Sequence, residues 1–436
     1  MRVLTLLLLC GWAGSTRGDL AELAEASRSE RAPPLLSQTH AFRNLRRLTP
    51  HQQFLPYDLN VPFWSDGAAK RRWVFVPPGS HVHFSPSNEW EFPAGTLFMK
   101  QFNLGIGETP ATNFRPLETR FSVVSGGGII GLTYRWRDNG EDADLLLTNL
   151  TESIPVQRTY GVEAQSWYYP GRSDCVTCHT ALNGGVLGPS TRQLNRDFAF
   201  GEGTSENQLL HWARLGLFDK PYIEITKQLA LMPKLAGPQD ANASVETRAR
   251  SWLDVNCAYC HRPGGTAANF DARFDTPVRQ QALVNGPVLI DEGIDNARVV
   301  APNDIWRSIL FLRINTQEPF KMPPLAHGVI DQEGVALMKT WVESMPGRPA
   351  LAPPKISPGG GDFEQKVRVA LSHELSGVTI HFTLDGSAPQ KSSTVYTNSF
   401  EITGPVTVRA RAFKDGFTRS ITIQETFIVN SGLSQQ

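Results

Sequence analysis

Cysteine is scarce in this sequence: five in 436 residues. All but Cys10 lie in C-x-x-C-H patterns, so none remains for the disulfide framework usual for paired cysteines in secreted proteins. Net charge is absent as well, because 42 Lys+Arg are balanced by 42 Asp+Glu. A nucleic-acid binder usually shows a basic excess, so nucleic acid is not an expected partner. Long apolar runs are missing too. The run Val3 to Leu9, continuing weakly to Ala13, falls short of the ~20 residues that a membrane-spanning helix needs. No later stretch qualifies, so no transmembrane segment is expected. No long-period repeat is present either.

What the N-terminus does hold is an export pattern. Arg2 precedes the apolar run, and the small residues Ala13, Gly14, Ser15 and Gly18 follow it. Residues 1–18 therefore read as a signal peptide, and the protein is expected to be exported, either periplasmic or secreted. Cys10 follows leucines rather than a small residue, so it reads as a signal-peptide cysteine in preference to a lipid anchor.

The other four cysteines fall in two identical patterns, Cys175-Val176-Thr177-Cys178-His179 and Cys257-Ala258-Tyr259-Cys260-His261. C-x-x-C-H has a direct chemical logic as a c-type haem attachment site. Two thiols bond the vinyl carbons, and the imidazole that follows falls beneath the iron. A zinc site would want four N/S ligands, and a thioredoxin-like pair would want a βαβ setting. Two covalently bound haem c groups are therefore expected, with Cys175, Cys178, Cys257 and Cys260 as attachment points and His179 and His261 as iron ligands.

The sixth ligands are harder to read. Met322, in Lys321-Met322-Pro323-Pro324, sits in a proline-stiffened loop before an apparent helix. The order of helix, haem motif, methionine loop and closing helix suits a small single-haem cytochrome. A thioether ligand raises the potential; the competing reading is a core filler. For the first haem, Met232 in Leu231-Met232-Pro233 is the candidate ligand, with His211 or an open site as alternatives. Arg192, Arg196 and Arg313 suit haem propionates as well as ordinary surface charge. Trp167-Tyr168-Tyr169 reads as packing. His81 and His83 share one side of a strand but lack a third ligand.

Periodicity divides the chain. Residues 19–39 read as a flexible leader. Residues 40–165 alternate at period two between turns, as in Arg72-Trp73-Val74-Phe75-Val76 and Ile130 to Arg137, which predicts an antiparallel β-rich domain. Residues 166–240 hold the first haem motif and 241–346 a second cytochrome c domain. This whole region is expected to be mainly α, with helices over Glu206 to Phe218, Val245 to Val255 and residues 331–344. Residues 347–361 are a Gly/Pro linker. Residues 362–430 return to period two and predict a small immunoglobulin-like β-sandwich.

Residues 55–345 resemble a bacterial family of diheme c-type cytochromes found beside or fused to quinoprotein (PQQ-type) sugar dehydrogenases. The likeness lies in Leu55 to Lys70, Trp90 to Thr96, Leu187 to Asn195, Asn256 to Gly265 and Met322 to Ala326. It implies electron transfer from a separate dehydrogenase to a respiratory cytochrome or oxidase. Residues 352–430 resemble the C-terminal domain of chitobiase and β-hexosaminidase, carried by Phe382 to Pro389 and Val408 to Gly416. That implies a non-catalytic spacer or docking module, with glycan or cell-wall contact as one use. The expectation is an electron carrier rather than a catalyst. The alternatives are a diheme peroxidase or oxidase with one open haem, or a glycan-docked redox module.

Overall fold

A computed structural model describes residues 20–107, 113–201 and 203–430. The expected signal peptide and Cys10 lie outside them. The chain divides into two compact units, one of Met1–Leu59 with Ala68–Lys234 and one of Asn60–Gly67 with Leu235–Gln436.

The first unit is built on a six-stranded antiparallel sheet. Its strands run in order Leu55–Tyr57, Ala69–Phe75, Leu97–Gly105, Phe114–Ser125, Gly128–Trp136 and Ala143–Leu145. Successive side chains point to opposite faces, so register decides what each face presents. Trp73, Met99, Phe121 and Leu132 lie opposite one another across four strands. They join one buried core with Leu36, Phe54, Tyr134 and Trp136. The helix Leu20–Arg28 buries Leu20, Leu23 and Ala24 in that core, so the expected flexible leader opens with a packed helix. Val74 and Phe98, one residue on from Trp73 and one back from Met99, face the other way into a second core with Trp90, Trp212 and Phe218. A long hairpin, Leu150–Arg158 with Gly161–Tyr169, precedes the first C-x-x-C-H segment.

The second unit holds two parts. In one, the helices Val245–Asn256 and Gln332–Ser344 pack against each other over a core that includes Trp252, Leu253, Leu310, Met338 and Trp341. Both are capped as their sequences predict: Ser244 Oγ accepts from Thr247 N at 3.1 Å, and Asp331 Oδ1 accepts from Gly334 N at 3.0 Å. The other part is a β-sandwich with a three-stranded and a five-stranded sheet around Val369, Leu371, Val408, Ala410 and Phe427. This agrees with the expected C-terminal fold. The 347–361 linker is held at its start, since Leu351 N donates to Thr418 O and Thr418 N to Pro349 O, both at 3.0 Å.

The expected mainly-α cytochrome region is corrected. The described chain is β-rich, and no helical cytochrome region is evident. Helices between 166 and 346 are short, the longest being the 13 residues Gln332–Ser344. Glu206 to Phe218 shrinks to the helix Gln208–Arg214, because Thr204–Asn207 pairs as a strand with Asp197–Gly201. Between 262 and 308 the chain runs mostly through turns. Ala282, Asn285, Glu292, Asn296 and Asn303 adopt positive φ there, which a helix does not tolerate. Turn chemistry outweighed the sparse apolar spacing.

Candidate functional site: two cysteine-histidine motifs

The first motif occupies the helix Arg172–Cys178, which packs on the strand Gly128–Trp136. Asp174 fixes the helix start, accepting from Gly171 N at 2.8 Å and from Tyr168 Oη at 2.7 Å. Cys175 sits directly on Gly131: a Cβ there would lie 2.2 Å from the Cys175 sulfur. Only glycine lets the helix come this close. His179 is oriented by one bond, its Nδ1 donating to Gly185 O at 2.7 Å. That assigns the proton to Nδ1 and leaves Nε2 with its lone pair, the arrangement a metal-ligating imidazole requires. Burial, with Lys100 and Arg120 nearby, holds His179 down to about 4. Burial pushes the Cys175 thiol up.

The sheet face beneath this motif is cationic. Arg72, Lys100 and Arg120 are directly opposite one another on three adjacent strands. Arg72 pairs with Asp58 at 3.0 Å and Arg120 Nε with Glu118 at 2.7 Å. The Lys100 ammonium makes no hydrogen bond or ion pair with the described residues. Burial and the two flanking guanidiniums bring its ammonium down to about 7.

The second motif follows the helix Val245–Asn256. Asn256, which is buried, donates to Trp252 O at 2.9 Å and accepts from Trp64 N at 3.0 Å. Phe63 packs edge-on against Tyr259 within the motif, ring centres 5.8 Å apart. His261 stacks on Phe270 at 4.1 Å, and its Nδ1 faces Asn269 Oδ1 at 3.2 Å. Burial lowers its proton affinity, against the Asn269 hydrogen bond. Cys257 is pushed up to about 12 by burial.

The methionine loop reaches the same strap. Trp64 Nε1 donates to Val329 O and Asp66 Oδ1 accepts from Val329 N, each at 2.9 Å. Residues 60–67 thus bind both the second motif and the loop that carries Met322. Met322 is half-buried. Its N donates to Arg313 O at 2.9 Å, and its carbonyl accepts from His327 Nδ1 at 2.8 Å. His327 is only 4% exposed, and its Nε2 has no partner among the described residues. An unpaired buried polar atom is costly, so this atom points to a group that completes the site.

Other candidates resolve differently. Met232 is packed in the Trp90–Trp212 core, the packing role that competes with iron ligation. His211 Nδ1 is held by Glu206, and its ring stacks on Phe200. Arg192, Arg196 and Arg313 pair with Glu89, Asp58 and Glu292. Trp167 is buried and donates to Glu118. His81 and His83 bind Gly216 O and Asp219 separately. The general expectation of a metal-binding protein is corrected accordingly. Among the described residues no group of three or more His, Cys, Asp or Glu side chains could hold a metal ion. The four described cysteines are free thiols, and no helix of the described residues is long and apolar enough to cross a membrane. Lys100, His327 and the strap around Trp64 were not singled out by chemistry in the sequence. Trp64 lay within the Leu55 to Lys70 likeness, while Lys100 and His327 had only an unremarkable place in a strand or loop.

Residues 358–424 match the chitobiase/beta-hexosaminidase C-terminal domain, which is similar to the β-sandwich described above. No curated protein matches the chain, and no solved structure matches it.

Proposed function

We propose that the protein is an exported electron carrier with two covalently attached haem c groups. The observation that carries this reading is the pair of complete C-x-x-C-H motifs, each with its histidine half-buried and its Nδ1 tied by a neighbour. The residues fit the group. Cys175 with Cys178 and Cys257 with Cys260, none of them in a disulfide, would hold it, and His179 and His261 present Nε2. Met322 is the sixth ligand proposed for the second site; the first is assigned none. A side-chain metal cluster is not needed, because a porphyrin brings four nitrogen ligands of its own. When bound, the group supplies a one-electron ferric/ferrous couple.

The chain's own contribution is to orient and to enclose. Gly185 and Asn269 fix the two imidazoles. The Trp64 strap and the His327 hydrogen bond hold the Met322 loop. The donor would be a separate dehydrogenase and the acceptor a respiratory cytochrome or oxidase. The C-terminal sandwich serves as a spacer or docking module.

A redox titration followed in the visible spectrum tests the reading. The intact protein takes up two electrons per chain, while Cys175→Ala with Cys178→Ala, and Cys257→Ala with Cys260→Ala, each take up one. Rapid peroxide turnover by the intact protein would instead favour a peroxidase.

A further inference from the structure

The cationic row on the first unit's sheet has no explanation within the protein alone. Adjacent strands lie about 4.8 Å apart, and like charges directly opposite one another are destabilising. Arg72 and Arg120 each have a carboxylate, Asp58 and Glu118. Lys100, between them, has none among the described residues. Lys100 is half-buried, and a partly desolvated charge without a carboxylate is favoured when a counter-ion arrives from elsewhere.

Register fixes which face is involved. Lys100 lies opposite Arg120, and Arg120 opposite Thr133. Gly131 is two residues before Thr133, so it shares that face, and Gly131 is where Cys175 rests. Lys100 and Cys175 therefore occupy one side of the sheet.

Resting on the proposed attachment of a haem at Cys175 and Cys178, we infer that Lys100 is the counter-ion to a carboxylate of that group, presented between Arg72 and Arg120 on the sheet face beneath it. A c-type haem brings two propionates and no compensating positive side chain. Among the described residues Lys100 is a cation on this face with no carboxylate partner, so it is placed to meet one of them. It is a positioning and potential-setting residue, not an iron ligand.

The test uses the full-length holoprotein and reads the potential of the first haem. Lys100→Gln removes the positive charge and leaves the carboxylate uncompensated, which favours ferric iron. The midpoint falls by about 59 mV, a tenfold change in a one-electron equilibrium, with the second haem unmoved. Lys100→Arg restores it. Haem count by intact mass runs alongside. A Lys100→Gln protein with two haems and an unshifted midpoint overturns the inference, as does a change from low to high spin, which would make Lys100 an iron ligand. If the intact protein carries no haem, the underlying reading fails instead. If Lys100→Gln alone loses the first haem, recovery in Lys100→Arg supports the charge requirement and failure to recover overturns it.

Discussion

At the scale of single residues, the first motif depends on an atom that is missing. Gly131 has no Cβ, and the Cys175 sulfur occupies that space. Gly131→Ala should displace the Arg172–Cys178 helix and reduce covalent haem from two per chain to one, measured by intact mass, with the second motif unaffected. Nothing at Gly131 in the sequence announces this, because a glycine inside a strand reads only as a weak spot. The cysteines and histidines were legible, since their chemistry lies in their spacing. Lys100 was not, because its meaning comes from cross-strand neighbours that are distant in sequence.

A second residue-scale prediction concerns Glu152. Burial works to raise its proton affinity, but hydrogen bonds from Arg135 and Tyr169 outweigh it and hold the carboxyl below its ordinary value. A carboxylate lowered in the folded state contributes stability that is complete above its unfolded value, about 4.3. That stability is lost as pH falls through the lower folded value. Glu152→Gln should therefore melt below the wild type at pH 7, by about 1.5–3 kcal/mol as for hydrogen bonds to a charged group. The gap should narrow steadily below about pH 4. A gap independent of pH would show that packing, not charge, sets the difference.

At the scale of elements, the second motif is framed by a close helix crossing. A Cβ on Gly334 would lie 2.5 Å from Trp252 Nε1, and that indole nitrogen donates to Asp331 Oδ2 at 2.9 Å. Gly334→Ala should push the two helices apart and destabilise the protein by about 1–3 kcal/mol, as overpacking does, seen in denaturant unfolding. Met322 belongs to the same frame. Met322→Ala should lower the second haem's potential and abolish the long-wavelength sulfur–iron charge-transfer band; an unchanged band would remove Met322 from the site. Both helices were legible, because Ser244 and Asp331 cap them and their apolar residues recur at helical spacing. The turns between 262 and 308 were not. Their positive-φ residues, Ala282 and Asn285 among them, answer to tertiary contacts such as Asn285 N to Val300 O, which no local pattern foretells.

At the scale of the whole molecule, the C-terminal sandwich is joined to its neighbour in the second unit by charge. Arg307, Arg411 and Arg419 converge on Asp295, at 3.2, 3.1 and 3.3 Å, and Arg307 also donates to Arg419 O and Ser420 O. Removing that carboxylate takes the ion pair from Arg411, which is nearly inaccessible, while Arg307 keeps Asp304 at 2.9 Å. Asp295→Ala should loosen the sandwich, so that proteases cut sooner between 347 and 361. The sandwich fold itself was legible from its alternating strands and turns. Its attachment was not, because Asp295 sits in a turn-rich stretch without periodicity.

The central claim, covalent attachment of two haems, is tested most directly by the intact mass of the exported protein purified from a host that matures c-type cytochromes. Two attached haems make the mass greater than that of the mature polypeptide by two haems, falling to one when either cysteine pair is replaced by alanine. A mass equal to the bare polypeptide would contradict it.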